Sequence, residues 1–320
     1  MRRSVRLLSS AVALAVGGAA ALAAVLPLPE AELLRRLRDD NFTVVSSEAT
    51  GAGVMGAKKL TIRFDDGLTI HAKWKVTPAS ADGWNNSPRR EIGVYAVQKL
   101  FLDPQDYLVP PSVARCVPLD AYRVVQPDPK PNLELAGARC DFGMLTGWLD
   151  NVVQPEVLFD RERFSKDREY AYHFANMNLL HYLVDHRDAR LSNFLVAKDP
   201  ADARTYSIDN GIAFGNLVYD FLVTNYNTIH VSALPKQSVE RLRRVTREQL
   251  DQLGVLGQLE LDDKGVLRNV PLGPNLDRER GVRMTTKGLQ FGLTKGEIDS
   301  VAERLRALLA SIDAGKLPVF

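Results

Sequence analysis

Three side chains in one stretch carry the most specific chemistry this chain offers. In LVDHRDARLSNFLVAKDPADARTYSIDNGIAFG, residues 183–215, Asp188 closes a His-Arg-Asp triplet and Asn193 follows five positions later. Asp209 then opens Asp-Asn-Gly after a strand-like run. A carboxylate such as Asp188 can orient an attacking hydroxyl and accept its proton. An amide oxygen and a second carboxylate can hold the divalent ions that bridge phosphates. That order suits transfer of the terminal phosphate of ATP to a hydroxyl, with Asp188 as base and Asn193 and Asp209 on Mg²⁺ or Mn²⁺. Stripped of the order, the same residues are a polar loop.

Such chemistry needs elements that deliver the phosphates. Gly51-x-Gly53-x-x-Gly56 precedes Lys59–Phe64, an Asp65-Asp66-Gly67 turn and a second strand from Leu68 to Val76. A dinucleotide-binding turn would run from these glycines into a helix. Strand, turn and strand instead fit a hairpin loop folded over phosphates, where backbone N–H groups approach without Cβ atoms in the way. In the second strand Leu68, Ile70, Ala72, Trp74 and Val76 share one face, and Thr69, His71, Lys73 and Lys75 the other. The expectation is that Lys73 reaches the phosphates, with Lys75 the alternate. Ser87-Pro88 opens a helix in which Glu91 can pair with Lys73 or simply complement the helix dipole.

Downstream, Val113–Val125 reads as extended and residues 126–133 as a proline-rich loop. Asp141-Phe142-Gly143 precedes the catalytic loop, whereas a metal-binding triplet must follow it, so it is rejected as a metal site. Residues 135–149 are expected to cross between lobes and meet the adenine. A buried helix over Glu169–Asp185 supports the catalytic loop. His173 and His181 read as packed residues rather than metal ligands, since zinc spacing is lacking. Helices are expected near Ser238–Leu253 and from Thr294, with Glu297 completing a capping box.

The 320 residues, 45% hydrophobic and 25% charged, suit a two-lobed α+β protein. A net charge of +2 argues against general nucleic-acid binding. Arg2, Arg3 and Arg6 precede an apolar, small-residue run to Leu26 in which Ala21-Leu22-Ala23 offers a cleavage site, the layout of an export signal. The expected organisation is a signal peptide at 1–24, an N-lobe at 25–140 and a helical C-lobe at 141–320. It implies export to the periplasm or beyond and no stable membrane span after cleavage. In an oxidising compartment Cys116 and Cys140 can pair, or they can remain two buried thiols.

These features resemble the protein-kinase-like superfamily, most closely the secretory-pathway kinases of the Golgi casein kinase type and their bacterial relatives. The resemblance spans roughly residues 48–235. It rests on REIGVYAVQKLF with the following Val109-Pro110-Pro111, on the catalytic loop, and on Ile208–Gly215 with Asp-Asn-Gly. It implies Lys73 on the phosphates, Glu91 paired with it, Asp188 as base, Asn193 and Asp209 on the metal, and a protein or glycan acceptor. The chain departs from that family in reading His-Arg-Asp and in having Asn193 where an acidic residue is usual. Unlike conventional kinases it lacks a closing Ala-Pro-Glu. A pseudokinase that works by association, or an AMP transferase on the same fold, shares these parts.

Overall fold

In the computed structural model, residues 25–50, 56–83, 87–215 and 226–320 are described. Helix α1 (Glu30–Asp39) places Glu30 and Glu32 in its first turn and Arg36 and Arg38 in its last, complementing the helix dipole. Its Leu33 and Leu37, one turn apart, are fully buried. Each contributes about 1.5–3 kcal/mol on burial.

Strands β1 (Phe42–Ala49), β2 (Lys58–Phe64) and β3 (Thr69–Val76) form an antiparallel meander. The glycine-rich segment links β1 to β2, and a Thr50 N–H to Ala57 carbonyl bond closes its base. Gly51 and Gly53 lie outside the described residues, whereas Gly56 has φ +68°. Helix α2 (Pro88–Gln98) follows, then β4 (Ser112–Pro118) and the short α3 (Leu119–Tyr122). The extended reading of Val113–Val125 therefore stops at Pro118.

The expected crossover at 135–149 is largely a strand, β5 (Cys140–Gly147), inserted between β3 and β4 in the order β1-β2-β3-β5-β4. All its positions are buried, so no alternation marks it in sequence. The N-terminal sheet accordingly runs past residue 140, and the chain leaves it only at Trp148. Asp141-Phe142-Gly143 gains a structural explanation here. Phe142 is core, and a Cβ on Gly143 would sit 2.5 Å from the Lys75 carbonyl and 2.7 Å from the Trp74 ring. Cys116 and Cys140 form a disulfide across β4 and β5, with Cα atoms 5.4 Å apart.

Past β6 (Val152–Val153) the chain turns helical with α4 (Arg161–Lys166) and α5 (Arg168–Leu183). Asp167 caps α5 through the Glu169 and Tyr170 N–H groups. Strands β7 (Phe194–Ala197) and β8 (Thr205–Ser207) form a hairpin beside β6. Helices α6 (Lys236–Leu242) and α7 (Arg247–Asp251) divide the single helix expected at 238–253.

A four-stranded sheet absent from the sequence reading comes next, in the order β10-β9-β12-β11. Its strands are β9 (Gly257–Leu261), β10 (Leu267–Asn269), β11 (Val282–Met284) and β12 (Gly288–Phe291). Strands this short carry too few alternating positions to declare themselves. Helix α8 (Lys295–Asp313), capped by Thr294 and Glu297, ends the fold. The result is an α+β protein, sheet-rich in its N-terminal part and helical in its C-terminal part. No helix among the described residues is long and apolar enough to cross a membrane.

Candidate active site

Strand alternation decides what faces the cleft. Ile70, Ala72 and Trp74 enter the core beneath α1, so Lys73 and Lys75 emerge together on the opposite face. Lys75 is only 4% exposed. Its Nζ lies 2.8 Å from Asp209 Oδ1 and 3.9 Å from Glu91 Oε1. Lys73, more open, approaches Asp209 Oδ1 at 3.9 Å. The pairing expected between Lys73 and Glu91 is therefore made by Lys75. Glu91 projects from α2 over the inner end of β3, where Lys75 stands, one pleat repeat beyond Lys73.

Glu91 also fastens the loop that carries Asp209, its Oε2 accepting the Asn210 N–H at 2.9 Å. The side chain of Asn210 is held from below. Ser207 Oγ donates to Asn210 Oδ1 at 2.8 Å and lies 2.7 Å from His181 Nε2. Asparagine between Asp209 and Gly211 thus joins a buried polar chain instead of an apolar plug. Burial drives the pKa of His181 well down, so the chain is neutral.

Asp188 and Asn193 form a second unit. Asn193 Nδ2 donates to the Asp188 carbonyl at 2.7 Å and to its Oδ2 at 3.0 Å. The asparagine Oδ1 accepts the Ser192 hydroxyl at 3.5 Å and keeps a second lone pair. His186, fully buried, accepts the Asp188 N–H on Nδ1 at 3.3 Å. Burial lowers its pKa to about 4. Sequence reasoning passed over Arg190, whose Nε lies 3.0 Å from Asp188 Oδ1. It also gave no role to Asp185, whose buried carboxylate gathers Arg187, Asn227 and Arg304 under the loop.

The two units share one electrostatic neighbourhood, since Asp188 feels both Asp209 and Lys75. Burial, reinforced by Asp209, outweighs Arg190, Asn193 and Lys75 and holds the Asp188 proton above the ordinary carboxylate range. For Asp209 burial pulls the same way, but Lys75 and Lys73 prevail and keep it below that range. One carboxyl is therefore tuned toward accepting protons and the other toward remaining charged. Asp185, Asp209 and Phe214 all have positive φ (43°, 60° and 63°), backbone strain gathered at these two loops.

A cavity of about 100 Å³, partly open to solvent, adjoins this cluster. Val109, Met144, Leu149, Leu195 and Ile208 give it apolar walls, and Lys73, Glu91, Asp209 and Asn210 a polar end. Asp188 and Asn193 stand outside that lining. The N–H groups of Gly147, Trp148 and Asp150 at the cavity edge already donate to Pro111, His71 and Val25 carbonyls.

No family model matches the chain, and no curated protein does. Among solved structures, that of hydra Fam20 with sugar is similar, at 13% identity and a TM-score of 0.48, covering 89% of this chain and 88% of that one.

Proposed function

We propose that this protein is an ATP-dependent kinase that transfers the γ-phosphate to a hydroxyl of a protein or glycan. One observation carries the reading. A buried lysine from β3 is held between a glutamate from α2 and an aspartate on a strained turn, and those two carboxylates, with Lys73, line one end of an apolar cavity. The Asp188–Asn193 pair is tied to the same turn, since the Asn193 carbonyl accepts the Ile208 N–H beside Asp209 at 3.0 Å.

The donor set suits a hard cation. Asn193 Oδ1 and the Asp209 carboxylate would hold it, oxygen ligands of the kind Mg²⁺ and Mn²⁺ accept. When bound, the metal neutralises charge that develops on the phosphates. Lys75, held by Glu91 and Asp209, presents a fixed positive charge to the same region, and Lys73 stands nearer the open cavity. The apolar walls take the base, so the triphosphate points toward Asp209. Asp188, with its raised pKa, accepts the proton of the attacking hydroxyl as the new P–O bond forms and ADP leaves. Gly51, Gly53 and Gly56 are proposed to cover the phosphates.

Export is part of the proposal. Residues 1–24, read as a signal peptide, lie outside the described residues, and the Cys116–Cys140 disulfide suits an oxidising compartment.

Purified protein incubated with Mg²⁺ or Mn²⁺ and labelled ATP tests the reading. Transfer of label from the γ but not the α position is the expected result. Transfer from the α position indicates an AMP transferase, and ATP binding without transfer a pseudokinase. Either outcome overturns the proposal.

A further inference from the structure

Helix α2 is fastened from the far end of the chain. Arg89, almost fully buried, donates from Nη1 to Oε1 and Oε2 of Glu297 at 2.8 and 2.6 Å, and from Nε to Asp82 Oδ2 at 3.0 Å. Arg90 Nε lies 3.5 Å from the same glutamate. Glu297 is meanwhile the capping-box residue of α8, its Oε2 accepting the Thr294 N–H at 2.8 Å. A single carboxylate therefore serves the starts of two helices, although it lies 208 residues from Arg89 in sequence.

Apolar contacts repeat the connection. A Cβ on Gly93 would lie 2.9 Å from Leu293 and 3.1 Å from Phe214, so the α2 backbone rests directly on both side chains. Ile92 packs in one cluster with Leu259, Leu289 and Phe291 of the C-terminal sheet. Glu91 stands between Arg90 and Ile92, and these contacts set how far it projects. Its two oxygens face Lys75 and the Asn210 N–H. Such bonds fail with displacements of a fraction of an ångström to an ångström.

We infer that Glu297 and Arg89 are positioning residues, and that residues 257–313 form an internal brace holding α2 so that Glu91 keeps Lys75 and the Asn210 turn in register. The mechanical part of this inference stands on packing alone. Its consequence for metal and nucleotide rests on the kinase reading above.

Hydrogen exchange on the whole protein, read alongside Mg²⁺-dependent ATP binding, tests the brace. Glu297→Gln keeps an acceptor for the Thr294 cap and removes the charge facing Arg89. Its amides in residues 90–98 and 208–212 should exchange about tenfold faster, with α5 unchanged. The Mg²⁺ concentration that half-saturates ATP binding should rise about tenfold. Asp299→Asn, on the same helix, breaks ion pairs with Lys295 of α8 and Arg247 of α7, away from α2, and should change neither reading. Arg89→Lys, which keeps the charge but loses the planar fork, should give a smaller shift in the same direction. It also serves should Glu297→Gln fail to fold. Unchanged exchange in α2 for these variants overturns the brace. Faster exchange in a protein whose native form binds no Mg²⁺–ATP upholds the brace and removes the kinase reading.

Discussion

Lys75 and Asp209 are 134 positions apart in sequence and 2.8 Å apart in space. Their contact joins the N-terminal sheet to the loop proposed to bind metal, and the register of β3 gives that contact to Lys75 over Lys73. Lys75→Met should lower phosphoryl transfer by about 10²–10³-fold, the usual cost of removing one fixed charge from such a site. Lys73→Met should cost about tenfold or less. Steady-state rates for the two variants, compared after matching their folded fractions, decide the assignment, and an inverted order refutes it.

The two aspartates should separate binding from chemistry. Asp209→Ala is expected to abolish metal-dependent ATP binding. Asp188→Ala should retain binding and slow transfer by about 10²–10⁴-fold. Calorimetric titration with Mg²⁺–ATP, paired with single-turnover rates, distinguishes them. Native-rate transfer by Asp188→Ala contradicts its role as base.

Acid should inactivate the protein sooner than a free carboxylate would suggest. Burial raises the Asp188 pKa, so its basic form disappears as pH falls through a value above the ordinary aspartate range. Arg190 opposes that shift, and Arg190→Gln should move the acid limb of kcat/KM to still higher pH. A limb unmoved by Arg190→Gln would assign it to another group.

Asp141 should make stability depend on pH. Its carboxyl is buried, Oδ1 has no hydrogen-bond partner, and desolvation raises its pKa to about 7. The folded state therefore holds a proton that the unfolded state releases near pH 4. This contribution is fully present below pH 4 and is lost as pH rises through about 7. Its full span is at most about 4 kcal/mol. Asp141→Asn should be more stable than the native protein at pH 8, and the difference should vanish near pH 4. Urea midpoints at the two pH values provide the check.

The disulfide should stabilise the N-terminal sheet. It spans 24 residues, for which loss of loop-closure entropy predicts about 3 kcal/mol. Cys116→Ser/Cys140→Ser should unfold at correspondingly lower denaturant. Reductant should lower the native midpoint to a similar value while leaving the variant unmoved.

Much of the site was legible because its parts lie close in the chain. Asp188 and Asn193 share one loop, and the Nδ2–Oδ2 bond between them follows from a spacing of five that a single turn can close. The turn chemistry of Asp65-Asp66-Gly67, the start of α2 at Pro88 and the Thr294–Glu297 cap were equally readable, since local hydrogen bonds and backbone preference determine them. Strand β5 was not, because a strand buried on both faces shows no alternation.

Sequence alone established which residue types were available and on which face of β3 the lysines stand. It could not choose between Lys73 and Lys75, which share that face roughly 7 Å apart. The packing of α2 against β4, α5 and residues 210–212, with its ion pair to α8, brings Glu91 over one of them. The same packing gives Glu297, readable as a helix cap, its second partner in Arg89. Long-range contacts of this kind depend on how separate faces bury one another, and no local pattern encodes that choice.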